Sequence, residues 1–449
     1  MSRRSAVILG GGLAGMGAAW TLARSGWDDL LIVERGKELG GLAGTFTRGE
    51  HFYPLAYHHI LHRDRTLLYF LDRLGALERV RWRRIRMLFR LADRPYALGE
   101  PGDFLRFPMT FGDKLRFARL MLRCSGKSDW TDWSTRSAAE LVDAWAGPGV
   151  RRALFEPLTQ LKFRLPAERV SGAWLGARLH FREGSAPLGY IPGTNWTKVL
   201  CDGLAERLAR RGVRVELGRE VRALRATDGR VAALETDDGP RPTPGVVVST
   251  VPTEVYRRLS PDDTSPGLDT IRYTAVVSMI CATRQSFGPD FYWMNLPTLD
   301  YNACGLFRLE SLNPTIGAPG EACINFVTHL PHRDDPFFER DDEAIVAGYR
   351  DDFRRLFGLE LQPFWVELTR LPMYSPVFET GYVSPPVRSR RFANLYFAGN
   401  YRTFPSIAST GTALASGVEA GVRAVEDLGD SSPAGVEIQR FRLRSMPRP

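Results

Sequence analysis

Three glycines set between a short apolar run and a helical stretch restrict this chain more than any other feature. Residues 6–9 (Ala-Val-Ile-Leu) are apolar and short enough for a buried strand. Gly10, Gly12 and Gly15 follow at once, and residues 16–25 read as a helix stopped near Gly26. In that setting Gly10 permits a tight turn, Gly12 lets backbone approach a pyrophosphate, and Gly15 lets helix and strand pack closely. A helix N-terminus offers unpaired N–H groups and a partial positive charge, so Leu13 and Ala14 join the glycines as candidate phosphate contacts. A second apolar strand, residues 30–33, ends in Glu34, about twenty residues beyond Gly15, where the pattern wants an acceptor for ribose hydroxyls. Strand, glycine turn, helix and terminal acid together predict a dinucleotide site. Only one such fingerprint occurs, so the sequence carries no separate nicotinamide-binding domain of this kind.

After Glu34 comes Arg35-Gly36-Lys37-Glu38-Leu39-Gly40-Gly41-Leu42-Ala43-Gly44. This run resembles the second glycine motif of the FAD-dependent amine oxidase, protoporphyrinogen oxidase and phytoene desaturase superfamily. Near the other end, Asn394-Leu395-Tyr396-Phe397-Ala398-Gly399-Asn400 is similar to that superfamily's C-terminal flavin motif, and residues 410–425 read as a helix. The resemblance implies FAD, with Arg35, Gly40, Gly41 and Leu42 beside the flavin and its phosphates. It also implies that a strand delivers Gly399 and Asn400, and that Gly411 and Thr412 open a helix aimed at the cofactor. The small residues Gly411, Ala413, Ala415 and Gly417 would let that helix approach the isoalloxazine edge. Asn400 departs from the acidic residue often found there, but an amide still hydrogen-bonds a ribityl or phosphate oxygen.

The middle of the chain resembles the same superfamily. A helical stretch (198–211) precedes β-like runs at 213–217 and 220–224, a turn at 227–229, a hairpin arm at 230–236 and a buried strand at 246–252. In this order a residue near Val221 would contact adenine through its backbone. The implied fold class is α/β, with a Rossmann-type (GR2-like) FAD-binding domain that is discontinuous in sequence and an α+β substrate-binding domain. The FAD domain would take residues 1–75, 190–275 and 385–430, the substrate domain 76–189 and 276–384, and residues 431–449 a flexible tail.

Length and composition fit this plan. A chain of 449 residues suits two or three domains. It has no apolar run long enough to span a bilayer, and its five cysteines stand singly, without a CxxC pair; no secretory signal is expected, and a reducing cytoplasm is the expected location. The formal charge is +9, but of 60 basic residues only Lys37, Lys114, Lys127, Lys162 and Lys198 are lysine. With no basic arm carrying interleaved aromatics, nucleic acid is not an expected partner. Residues 104–111 (Phe-Leu-Arg-Phe-Pro-Met-Thr-Phe), followed by Lys114, Arg116, Arg119 and Arg123, have the composition of an interfacial membrane element. A helix packed on the substrate domain, with its arginines in water, is the favoured reading of the same residues.

Candidates for chemistry are few. Four of seven histidines fall between His51 and His62, and His58 and His62 would face one way on a helix, but no further ligand accompanies them, so no metal is expected. The segment Tyr57-His58-His59 resembles a histidine-containing segment of UDP-galactopyranose mutases, which implies that His58 or His59 faces flavin or substrate; packed, hydrogen-bonded side chains are the alternative. Lys162 stands in an apolar context in a chain that strongly prefers arginine, and a desolvated lysine can serve as a base. Aromatics gather at residues 291–293 and around Met373-Tyr374. The function expected is oxidation of an organic, biosynthetic small molecule, with hydride passing to flavin N5. The alternative is a non-redox flavin mutase of the UDP-galactopyranose mutase type.

Overall fold

A computed structural model describes residues 4–91, 94–97, 101–181, 187–243, 245–298 and 300–441. Its first layer is a five-stranded parallel sheet in the order Arg214–Glu216, Asp29–Val33, Ser5–Leu9, Val246–Ser249, Leu395–Phe397. Alternation along the strands sends side chains to opposite faces. Ala6, Ile8, Leu30 and Ile32 pack against helices, including Leu13–Arg24 and Thr410–Glu426, while Val7, Leu9, Leu31 and Val33 face a second apolar layer. That layer contains Val231 and Leu234 of the antiparallel meander Val221–Thr227, Arg230–Thr236, Gly239–Pro242. Both faces are covered, which is why these strands read as nearly continuous apolar runs.

A seven-stranded sheet runs in the order Trp365–Pro376, Tyr273–Thr283, Ala322–Leu330, Gly305–Arg308, Trp293–Asn295, Met87–Leu91, Arg94–Ala97. Every pairing is antiparallel except that of Trp293–Asn295 with Met87–Leu91. Val277, Met279 and Cys281 share a core with Tyr349 and Phe353 of the helix Asp342–Phe357, and the opposite face sends Val276 and Ile280 towards Tyr53 and Trp293. A helical lobe of Phe111–Gly126, Ala138–Trp145, Glu156–Phe163 and Gly172–Phe181 packs around Trp130, Phe155 and Trp174.

The first helix starts at Leu13, three residues before the position expected, because Gly12 already caps it in an extended conformation. Part of the expected flexible tail is folded: Pro433–Arg440 is a helix. Its Glu437 accepts from the Tyr69 hydroxyl at 2.6 Å and pairs with Arg24 at 2.5 Å, holding the segment to two other helices. Residues 442–449 of that tail lie outside the described residues. Among the described residues, no helix is long and apolar enough to cross a membrane.

Candidate active site

The two ends of the chain meet on a cavity of about 1050 Å³. Ser5–Leu9 delivers Gly10, whose φ of +99° suits glycine and whose N–H donates to the Val33 carbonyl at 2.9 Å. Gly40 N–H donates to the Gly11 carbonyl at 2.9 Å, and Gly12 and Gly40 form a parallel bridge, so the two glycine motifs are bonded to each other. A Cβ on Gly15 would stand 2.0 Å from the Gly10 oxygen, whereas one on Gly12 would meet nothing within 4 Å. Gly15 therefore holds helix to turn, and Gly12 leaves open wall at the helix N-terminus.

Glu34 is fixed beside that wall. Its Oε2 accepts from Gly11 N–H at 2.6 Å and its Oε1 from Gly36 N–H at 2.7 Å, leaving each oxygen a further lone pair for a hydroxyl. Across the cavity, Gly399 has a φ of +137° and its N–H donates to Ser416 Oγ at 2.9 Å. Asn400 follows with a buried Oδ1 that has no protein partner. An open glycine wall, a positioned carboxylate and an orphaned amide oxygen fit a dinucleotide's pyrophosphate, ribose and polyol hydroxyls.

Gly10, Gly12, Leu13, Ala14, Glu34, Arg35, Gly40, Gly41, Leu42, Val221, Gly399 and Asn400 all line this cavity, as do His58, His59 and Lys162. Three expected cofactor contacts do not. Gly15 lies beneath the turn. A Cβ on Gly411 would stand 1.9 Å from the Asp64 carboxylate, so that glycine faces Asp64. Thr412 closes a capping box with Ser409, its hydroxyl meeting Ser409 N–H at 2.8 Å, and it is the neighbouring Ser409 and Thr410 that reach the wall. His58 and His62 do not share a helix turn, because Ile60–Leu61 is a strand.

Beyond the glycine wall the lining becomes apolar. Met87, Phe89, Phe104, Phe117, Met121, Phe155, Leu158 and Trp174 contribute to it, with Thr159, Lys162, Arg178, Asn295, His329, Arg370 and Tyr374 as polar residues among them. His329 is 5% exposed, and burial, reinforced by the Lys162 and Arg164 cations, pushes its pKa down to about 3. The ring is therefore neutral, and its Nδ1 has no protein partner; nor does Asn295 Oδ1. Burial likewise lowers His58 to about 4. Its Nδ1 lies 2.8 Å from the Ala56 carbonyl, so the neutral ring donates there and keeps Nε2 as the acceptor.

Asp64 and His329 are among the lining residues that the sequence pattern did not single out. Asp64 caps the helix Arg65–Arg73 by accepting from Leu67 N–H at 3.1 Å, also receives Gly411 N–H, and is raised by burial to about 6. An aspartate directly before an amphipathic run is a capping signal, but nothing local says that a second helix will point at it. His329 is the penultimate residue of an all-buried strand, Ala322–Leu330, and a histidine following Asn325 and Thr328 in such a run was the available sign.

The family model of flavin-containing amine oxidoreductases matches residues 13–428. A search of curated proteins gives no sequence match. Among solved structures, a candidate protoporphyrinogen oxidase from Exiguobacterium sp. 255-15 superposes with a TM-score of 0.76 at 19% identity, over 95% of this chain and 99% of that one. A reduced UDP-galactopyranose mutase gives 0.74 at 15%, over 98% and 100%. Wild-type putrescine oxidase bound to putrescine gives 0.69 at 15%, over 94% and 99%. At these identities the likeness is one of fold.

Proposed function

The chain belongs to the flavin-containing amine oxidoreductases and is an FAD-dependent oxidoreductase, and from that premise we propose that it oxidises a largely apolar small molecule bearing one hydrogen-bonding group. The observation that carries this reading is that the glycine-lined cleft and the apolar chamber are one continuous cavity. FAD, when bound, supplies the hydride acceptor, at N5. Gly10, Gly12 and Glu34 would hold the cofactor, with residues 1–75, 190–275 and 385–430 as its domain. The aromatic wall would orient the apolar body of the substrate and keep water out. Asn295 Oδ1 would accept a substrate N–H or O–H, since a buried acceptor left unpaired is costly. Neutral His329 would meet the same polar group. We assign the Lys162 cation and the neutral His58, which keeps Nε2 as an acceptor, as the polar groups that position the reacting end of the substrate.

The test is anaerobic mixing of the FAD-loaded enzyme with a panel of apolar amines and alcohols, following loss of the oxidised-flavin absorbance. Rapid bleaching with at least one compound, slowed about tenfold in Asn295→Ala, is the expected result. Turnover only after chemical reduction, with no net electron transfer, would replace this reading with a flavin mutase.

A further inference from the structure

The helix Phe111–Gly126 is amphipathic in an unusual sense, because it carries apolar residues on both its inner and its outer side. Leu120 and Cys124 are buried in the helical lobe, Phe117 and Met121 line the cavity, and Ala118 sits at the edge between that lining and the outer side. On the outer side Phe111 is 71% exposed, Leu115 58% and Leu122 72%, and Ala118 is also exposed. At 100° per residue these four fall within one narrow stripe running three turns. Leu105, 64% exposed on the preceding helix Pro101–Arg106, extends the patch, and Lys114 Nζ donates to its carbonyl at 2.6 Å. Arg116, Arg119 and Arg123 follow one edge of the stripe, and all three are exposed, as is Arg106. Four of the ten large apolar side chains most exposed among the described residues thus lie on this one hairpin, rimmed by cations.

We propose that the outer face of Pro101–Arg106 and Phe111–Gly126 is a docking surface for an anionic lipid bilayer. A monomeric surface rarely leaves large apolar residues aligned in this way, and cations beside an apolar stripe match acidic headgroups above acyl chains. The charge identifies the occupant: a second copy would bring the same basic edge to the contact. Phe104, Phe117 and Met121 place the cavity wall directly behind the surface. Docking does not depend on the reaction; that an apolar substrate enters from the bilayer does rest on the function proposed above.

FAD-loaded full-length protein is floated with vesicles of phosphatidylcholine, with and without phosphatidylglycerol. Protein should rise with the phosphatidylglycerol vesicles at low ionic strength and be released as salt shortens the range of attraction. Phe111→Ser with Leu122→Ser should lower partitioning about tenfold or more while the flavin spectrum and thermal midpoint stay unchanged. Arg119→Glu should weaken only the phosphatidylglycerol-dependent part. Protein that remains at the bottom at low salt overturns the proposal, as does equal flotation of the double variant. A change in oligomeric mass caused by the double variant, without vesicle binding, would assign the stripe to a second copy and overturn it too. None of these outcomes alters flavin bleaching by substrate, which tests the reaction separately.

Discussion

Gly12 and Gly15 belong to one motif, yet different atoms constrain them. Gly12 has a φ of −71°, which any residue adopts, and its missing Cβ faces open space. Gly15 is pressed against the Gly10 carbonyl, 2.0 Å from where a Cβ would be. Gly12→Ala should therefore leave the stability of the apoprotein within about 0.5 kcal/mol of the parent, since nothing is displaced. Its cost should fall on FAD affinity, about tenfold or more, because the added methyl occupies the pyrophosphate wall. Gly15→Ala should destabilise the apoprotein by about 3 kcal/mol, as overpacking against backbone does. Denaturant melts of both apoproteins, beside FAD titrations, check the pair; equal loss of stability in the two would mean the open wall is not where the cofactor lies. At this scale the sequence was informative wherever a backbone demanded glycine. It was silent on Asp64 and His329, whose significance comes from neighbours hundreds of residues away or from the opposite wall of the cavity.

The helices Leu13–Arg24 and Thr410–Glu426 show what small residues do for an element. Their presence in residues 410–425 suggested close approach to an isoalloxazine edge, and Ala413 does line the cavity. Gly417 serves a different contact: a Cβ there would stand 1.9 Å from the Ala14 carbonyl, and one on Gly17 would stand 2.7 Å from that of Leu414. The two helices thus touch backbone to backbone, and Ala14 is itself part of the cofactor wall. Gly417→Ala should push them apart, costing about 1–3 kcal/mol and several degrees of thermal midpoint. FAD affinity should fall as well, because the displaced segment carries the helix N-terminus. Thermal melts with and without FAD decide it, and an unchanged midpoint would show that the helices do not meet this closely. Elements with one strong period were legible: the helix at 410–425 and the strand at 246–249 are found within a residue or a few of their expected limits. The strand Trp365–Pro376 was not, because its residues are mostly half-buried and Pro372 interrupts them. The helix Pro433–Arg440 was missed because what fixes it is an ion pair and a hydroxyl from distant helices.

The cofactor site is assembled from segments that no local pattern links. Arg214–Glu216 joins the edge of Asp29–Val33, and Val246–Ser249 lies between Ser5–Leu9 and Leu395–Phe397. Periodicity identifies such strands but not their neighbours; the family resemblance implied only that residues 1–75, 190–275 and 385–430 share a domain. A site built this way couples cofactor binding to the cohesion of the whole sheet. FAD binds the folded chain and not the unfolded one, so at a hundredfold excess over its dissociation constant it should add about 2.7 kcal/mol of stability. Removing the flavin should then lower the thermal midpoint by several degrees, and the midpoint should climb again with added FAD. Glu34 tests the source of that gain. Its carboxylate holds Gly11 and Gly36 N–H in a loop that opens on the cavity, where water can replace it, so Glu34→Ala should move the apoprotein midpoint little. Two lost charge-assisted bonds to ribose, at roughly 1.5–3 kcal/mol each, should instead remove most of the FAD-dependent increment. Scanning calorimetry of parent and variant across FAD concentrations separates the two terms. A variant that melts early as apoprotein but retains the full FAD increment would show that Glu34 braces the turn and leaves the ribose to another residue.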